Sequence, residues 1–524
     1  MLVSALQDPA CYPHPVGSIS SIETHISFVV LTGTYAYKIK KAVDLGFLDF
    51  TTLKQRRFYC EEELRLNSRT APQLYLDVVP ICGSARAPTV GGEGGAIEYA
   101  VRMREFPQDA LADRVLARGE MGPGHIDSLA DRIAGFHQRA QHAGESDTYA
   151  TPDAIAGDAA QNFQQIRAAD PAAGSLQALG QLEAWSLREH ARLREVFAER
   201  KREGWVRECH GDLHLGNIVL IDGEPYAFDC VEFNPTFHWI DTMNEIAFLL
   251  MDLRAADRPD QAARFLNAYL ESTGDYGGLR VLRYYLVYRA MVRAKIGLMR
   301  ARQLAPDTRD AKESNARFHR YLALAEECTH ASSPFVVLTH GLSGSGKTTL
   351  SQPLLELAGA IRIRSDVERK RLHGLDPRER TGAGLAEGMY ATNASEKTYE
   401  RLLDVAGVIV AAGYGVIVDA TFLQRSHRDL FRTFAARAGA RFLIVDFRAA
   451  EGTLRGRILA RRGRDDDASD ADLAVLEHQM KTRQPLQADE LESAVIFDAA
   501  LPAEYARQPD AWTEVLDRLS RAGS

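Results

Sequence analysis

Two short stretches hold residues whose types and spacing suit phosphate chemistry. "HGDLHLGN" at 210–217 sets a carboxylate, Asp212, five residues before an amide, Asn217, and "YAFDCVEFNP" at 226–235 adds Asp229. Moving a phosphoryl group onto a hydroxyl needs a carboxylate to take the hydroxyl's proton, oxygen ligands for magnesium, and a cation on the donor phosphates. Asp212 suits the first task, and Asn217 and Asp229 the second. An H-x-D-x-x-x-x-N loop followed by a short hairpin and a further Asp is more specific than any single residue in it. The second stretch, "GLSGSGKTTL" at 341–350, fits G-x-x-x-x-G-K-[ST] between a predicted strand and a predicted helix. Gly341, Gly344 and Gly346 let the backbone wrap phosphates with its N–H groups, Ser343 and Ser345 among them. Lys347 is placed to reach the β- and γ-phosphates and Thr348 to hold magnesium, with Thr349 following on the same turn.

The elements that position these stretches differ in kind. Residues 20–106 read as strands around one helix: "HISFVVLTGTYAYKIKK" is rich in β-branched and aromatic residues, and "LKQRRFYCEEELRLNSR" has apolar residues at helical spacing. "GGEGG" at 91–95 predicts a hairpin tip. Residues 107–325 read as mostly helical, interrupted at 205–235 by two short strands. A Ser/Pro break near Ser332–Pro334 predicts domains at 1–330 and 334–524. From Phe335 onward, strands such as "FVVLTHG", "IRIRSD", "GVIVDATF" and "RFLIVDF" alternate with helices, the pattern of a parallel α/β sheet.

On "HGDLHLGN" and the Asp that follows, residues from about 10 to 325 resemble the aminoglycoside phosphotransferase family, whose fold is similar to protein kinases. The resemblance implies an α+β bilobal kinase-like domain in which Asp212 is the catalytic base and Asn217 and Asp229 hold magnesium. His210 holds the loop, and Glu245 stands where the family often has Asp. The phosphate-binding lysine is expected on "YAYKIKK": Lys38 fits the A-x-K pattern best, and Lys40, on the same strand face, is the alternative. Its helix partner is Glu63, with Glu62 second. The adenine hinge is expected near Met103–Phe106. There is no G-x-G-x-x-G loop; Gly33 is the glycine in the expected hairpin. His214 and His137 read as structural residues.

In the second half, "RIRSDVERKRL" places Asp366 at a strand end and Arg369 three residues later. A carboxylate beside a P-loop is where a small kinase needs its acceptor base. "LRGRILARRGRDDDASDADL" resembles an arginine-bearing lid, with Arg457, Arg461 and Arg464 as candidates. Residues 335–500 resemble the P-loop kinase group containing polynucleotide kinase, gluconate kinase and the zeta toxins, which implies an α/β P-loop NTPase fold. In that resemblance Asp366 is the base, Arg369 contacts acceptor or phosphate, and Asp419 in "VIVDATF" supports magnesium. The whole arrangement resembles fusions of an aminoglycoside phosphotransferase-like domain with a P-loop ATP-binding domain, and implies ATP and Mg2+ as cofactors.

Composition narrows the partners. Lys plus Arg is 63 and Asp plus Glu is 71, so the net charge is 63 − 71 = −8. That argues against extended nucleic-acid contact, which needs a basic face, and leaves room for a short 5′-end. Small-molecule acceptors are expected at both sites. The basic cluster Arg362, Arg364, Arg369, Lys370 and Arg371 points to an anionic acceptor at the second. No segment reads as membrane-spanning or as a signal peptide, and six scattered cysteines without a C-x-x-C pair fit a cytoplasmic protein. Two rival readings follow from the same residues: a nucleic-acid 5′-end kinase in the second half, and a nucleotide-sensing regulator whose first half binds ATP without transferring phosphate.

Overall fold

The computed structural model describes residues 1–46, 48–330, 333–376, 392–461 and 472–520. Packing divides the chain into two units, Met1–Asp252 with Tyr284–Ala325, and Leu253–Arg283 with Glu326–Ser524. The expected boundary at 332–334 therefore meets a more interwoven chain: Leu253–Arg283 packs with the second unit although it precedes that boundary.

The first unit opens on a six-stranded antiparallel sheet in which Tyr35–Lys40 lies between Ser27–Leu31 and Ala96–Arg104. Side chains alternate along Tyr35–Lys40, as a pleated strand requires. Tyr37 and Ile39 enter one core cluster with Val30, Ile81 and Ala100, while Ala36 enters another with Cys60, Val101 and Met103. Lys38 and Lys40 share the Ala36 face, which the helix Leu53–Asn67 covers. That helix starts at a capping box, in which the Thr52 hydroxyl accepts from the Gln55 N–H at 3.2 Å and Gln55 Oε1 accepts from the Thr52 N–H at 3.1 Å.

Two sequence expectations change here. "GGEGG" is a crossover, because Ala87–Val90 and Ala96–Arg104 pair with opposite sides of Tyr75–Ser84. The tight turn falls earlier, at Ala85–Arg86, and just before it in the strand Gly83 (φ +86°) is required, since a Cβ there would come within 2.5 Å of the Ala87 carbonyl oxygen. The loop region at 205–235 contributes to two ladders rather than one pair of strands: Val206–Glu208 with Trp239–Asp241, and Ile218–Ile221 with Glu224–Ala227.

The second unit is a five-stranded, wholly parallel sheet in the order Ile361–Arg364, Val416–Asp419, Phe335–His340, Arg441–Arg448, Ala494–Asp498. Its core runs from Val337 and Ile417 through Leu350 and Leu354 to Trp512, all nearly inaccessible. The edge strand Ile361–Arg364 is covered by the helix Pro259–Thr273. Asn267 Oδ1 accepts from the Arg362 N–H at 2.7 Å, and Asn267 Nδ2 donates to the Ala360 carbonyl at 2.8 Å. Covering an exposed edge in this way satisfies backbone groups that would otherwise offer a pairing template.

Candidate active sites

In the first unit, Lys38, Asp212, Asp229 and Glu232 line one cavity of about 440 Å3. Glu63, fully buried on the helix Leu53–Asn67, joins both lysines of the strand: Oε1 meets Lys38 Nζ at 2.7 Å and Oε2 meets Lys40 Nζ at 2.7 Å. Lys38 also pairs with Asp229, and Lys40 with Glu232. Burial opposes the charge on each lysine, but the paired carboxylates outweigh it and raise both. Burial likewise opposes the charge on Glu63, and Lys38 and Lys40 hold its carboxyl down at about 2. The two lysines thus part company. Lys38 reaches the cavity beside Asp229, whereas Lys40 is wholly enclosed between Glu63 and Glu232. Glu62 lies outside this network, paired with Arg65 at 2.9 Å.

The loop at 210–217 is held from behind. His210 and Gly211 donate their backbone N–H groups to Glu245 Oε1 and Oε2 at 2.7 and 2.9 Å. His210 Nε2 lies 2.9 Å from the Phe228 carbonyl, and the Asp212 N–H reaches Nδ1 at 3.4 Å, so the ring carries its proton on Nε2. Burial pushes the His210 ring down to about 4, which keeps it neutral. Asn217 Nδ2 donates to Asp212 Oδ2 at 2.9 Å, and His214 Nε2 stands 3.4 Å from the same oxygen. Burial works against the Asp212 charge, but His214 and then Arg293 outweigh it and hold the carboxyl below the usual range. Asp212 thus stays ionised. Asp229 has a left-handed backbone (φ +64°) and donates its N–H to the Tyr75 hydroxyl at 3.0 Å.

Magnesium takes hard oxygen ligands, often only one or two from protein with the rest from phosphates and water. Asn217 turns its Nδ2 to Asp212, leaving Oδ1 to face an ion, and the Asp229 carboxylate is 44 % exposed. The donor set therefore fits magnesium at this place. Among the described residues no group of three or more His, Cys, Asp or Glu is arranged to hold a metal.

Gly33 does not line the cavity. It sits in the turn between Ser27–Leu31 and Tyr35–Lys40, where Glu105 Oε2 accepts from the Thr32 and Gly33 N–H groups at 2.8 and 2.7 Å. That ties Glu105, inside the expected hinge Met103–Phe106, to the turn. The loop that does line the cavity is Thr24–Ile26, which contains no glycine. His137 is buried against Phe136, and burial lowers it to about 3.

In the second unit the loop after Phe335–His340 runs into the helix Lys347–Ala358. Gly341 (φ +145°) and Gly344 (φ +83°) are required: a Cβ would come within 2.7 Å of the Phe447 carbonyl oxygen and 2.8 Å of that of Leu454. Lys347 Nζ donates to the Gly341 and Leu342 carbonyls, each at 3.0 Å. Thr348 Oγ1 donates to Asp419 Oδ2 at 2.6 Å, so the two residues expected at magnesium are brought together. Gln479, from the helix Leu473–Thr482, clasps Ser343: its Oε1 accepts the backbone N–H at 2.9 Å and its Nε2 donates to Oγ at 3.0 Å. The Ser345 hydroxyl is buried, and Thr349 is exposed.

Asp366 and Arg369 form an ion pair at 3.0 Å on one helical turn. The other members of the basic cluster are engaged elsewhere. Arg362 donates to the Thr348 carbonyl at 2.7 Å and to Gln352 at 2.8 Å, Arg364 pairs with Glu271 at 2.8 Å, and Arg371 pairs with Glu368. Arg457 donates to the Ser345 and Ala499 carbonyls at 3.3 and 2.7 Å. Arg461 ends the helix Glu451–Arg461, and Arg464 lies outside the described residues.

Sequence reasoning missed Glu232, Tyr75, the Thr24–Ile26 loop, Gln479 and Glu271. Only Glu232 carried a local signal, three residues beyond Asp229.

Comparison with known proteins finds a different family model in each half of the chain. Residues 103–282 match the model described as the phosphotransferase enzyme family, and residues 336–486 match that of an AAA domain. The uncharacterized protein Rv2004c of Mycobacterium tuberculosis is 33 % identical over 472 residues, covering 89 % of this chain and 91 % of its own; the uncharacterized protein Mb2027c of Mycobacterium bovis gives the same figures. Among solved structures, a gluconokinase from Sinorhizobium meliloti is 21 % identical, covering 36 % of this chain and 95 % of its own, with a TM-score of 0.26. A choline kinase from Cryptosporidium parvum is 12 % identical, covering 62 % and 95 %, with a TM-score of 0.38. At those scores neither bears on how this chain works.

Proposed function

The chain belongs to the family of Rv2004c, joining a phosphotransferase domain to a P-loop ATP-binding domain, and on that premise we propose a bifunctional, magnesium-dependent kinase of small hydroxyl-bearing molecules. The two domains make it an ATP-dependent kinase. What supports the rest is that each unit holds a cation, magnesium-type ligands and a carboxylate of its own. In the first, Lys38, Asp229 and Asp212 line one cavity and Asn217 is bonded to Asp212; in the second, Thr348, next to Lys347, meets Asp419, and Asp366 follows the strand whose Arg364 lies in register with Asp419.

At the first site Lys38 neutralises donor phosphate oxygens and Asp212 receives the acceptor hydroxyl. The acceptor oxygen forms the new bond to the γ-phosphorus, the bond from phosphorus to the ADP oxygen breaks, and the hydroxyl proton passes to Asp212 and on to solvent. Bound magnesium, held by Asn217 and Asp229, would supply charge neutralisation on the phosphates. At the second site the loop amides and the N-terminus of the helix Lys347–Ala358 cradle phosphate. Asp366 is the base there, with Arg369 holding its carboxylate in place.

The test is phosphate transfer from ATP to a metabolite extract, followed by mass spectrometry, with and without magnesium, for the wild type, Asp212→Asn and Lys347→Ala. Two product sets, each lost with one substitution and both lost without magnesium, are expected. Nucleotide binding without any Asp212-dependent product would instead make the first half a nucleotide sensor.

A further inference from the structure

The transfer chemistry uses one end of the first unit's cavity and leaves the other end unassigned. Beyond Asp212 its wall includes Asp158, Asn162, Asn244, Tyr288, Arg289 and Lys295. Arg289 is buried, its Nε donating to Asn244 Oδ1 at 2.7 Å and its guanidinium lying over the Phe248 ring at 4.7 Å. Its terminal nitrogens have no hydrogen-bond partner among the described residues. Lys295 Nζ donates to Asn162 Oδ1 at 2.7 Å, which uses one of its three N–H groups. With Oδ1 so occupied, Asn162 Nδ2 is left over, and this side chain, 3 % exposed, has no partner for it among the described residues. A buried donor without an acceptor is costly and needs a reason. Three donor groups, two of them cationic, thus line one wall. Asp158 is the one carboxylate among the six, and burial raises its pKa against the pull of Arg289 and Lys295.

We propose that this wall seats an anionic group of the acceptor, a carboxylate or a phosphate ester, while the acceptor's hydroxyl is presented to Asp212. The inference rests on the reading of Asp212 as the base of the first site and adds the substrate class. The anionic group is a handle: it forms no bond in the transfer and leaves with the product. An ammonium in its place would meet Arg289 and Lys295, and Asp158 is the one carboxylate on that wall; Asp212, Asp229 and Glu232 lie among the cavity's other lining residues. Donors fixed in advance around anionic oxygens also make the strong, charge-assisted kind of hydrogen bond.

The experiment splits a metabolite extract by ion exchange into anionic, neutral and cationic fractions. Each is incubated with the full-length protein, ATP and magnesium, beside the Asp212→Asn variant. Product that depends on Asp212 is expected from the anionic fraction; product confined to the neutral or cationic fraction overturns the proposal. No Asp212-dependent product in any fraction removes the reading beneath it, and the proposal falls with that reading. Phosphatase treatment of the anionic fraction beforehand separates the two sources, since a phosphate-ester acceptor is lost and a carboxylate acceptor survives. With the product in hand, Lys295→Met and Arg289→Met should each raise the acceptor KM by on the order of tenfold to a hundredfold. ATP affinity should stay unchanged, and Lys295→Arg should recover most of the loss. An acceptor KM that does not move in either folded variant refutes the assignment, as does equal weakening of ATP and acceptor.

Discussion

The two lysines proposed to meet phosphate, Lys38 and Lys347, are held in opposite ways. Lys347 folds back onto carbonyls of its own loop, five and six residues away. Lys38 is held by carboxylates from a distant helix and a distant loop, Asp229 lying 191 residues further along the chain. The first arrangement is written into one contiguous stretch and stands wherever that stretch folds. The second exists only after a sheet, a helix and a hairpin have come together, and it puts two cations and three carboxylates in one network. A local site of this kind can lose its lysine with little harm to the fold, whereas an assembled one is also part of the core.

Activity should separate the two sites most widely. Asp212→Asn should lower transfer at the first site by roughly 10²–10⁴-fold and leave transfer at the second intact, measured with each site's own acceptor. Loss of both in a folded protein would mean a single composite site.

Stability sharpens the contrast. Glu63→Gln leaves buried Lys38 and Lys40 sharing fewer negative charges and should cost the first unit about 3–5 kcal/mol in urea unfolding. Lys347→Ala should cost second-site turnover roughly 10²–10³-fold with little change in the unfolding midpoint. Equal destabilisation by the two substitutions would end the distinction.

A pH profile reaches the scaffold of the first loop. Burial raises Glu245 from 4.5 to about 6, against the pull of Arg289 and the two backbone N–H groups. Folding thus favours its protonated form. The stability this gives is complete below about pH 4.5, is lost as pH rises through about 6, and is on the order of 2 kcal/mol. The bonds from His210 and Gly211, one to each oxygen, call for the carboxylate. First-site turnover should therefore rise through pH 6 while this part of the stability falls, and both slopes should flatten in Glu245→Gln. Second-site turnover should show neither.

The smallest effect is expected at Gln479. Its amide occupies the Ser343 N–H, one of the groups available to phosphate. Gln479→Ala should tighten nucleotide binding at the second site by roughly fivefold, the worth of about one hydrogen bond. Weaker binding would make the clasp a support of the bound state.

How much could be read from the chain follows the same division. Lys347 with the Gly341 and Leu342 carbonyls, and Asp212 with Asn217, have partners within six residues, and their types alone imply the contacts, whereas Ser343 meets Gln479 136 residues away. Glu232 escaped notice because its partner Lys40 is 192 residues away. The basic cluster at 362–371, which in the sequence points to an anionic acceptor, has partners that lie far off in sequence: Glu271 accepts from Arg364, 93 residues away, through its carboxylate and from Arg371, 100 residues away, through its backbone carbonyl. Gly33 fitted the expected hairpin by residue type, yet the loop that lines the cavity is Thr24–Ile26, and no local pattern distinguishes the two turns.

Asn267 has a consequence in time as well as in space. It is synthesised 95 residues before Arg362, whose N–H it accepts. At about 5–20 residues per second of synthesis, the helix Pro259–Thr273 waits roughly 5–20 seconds for the strand it covers. During that interval its packing face is bare in the growing chain, long after the neighbouring residues of the first unit have emerged. The second unit cannot close as it emerges; it must retrieve a piece of chain made earlier.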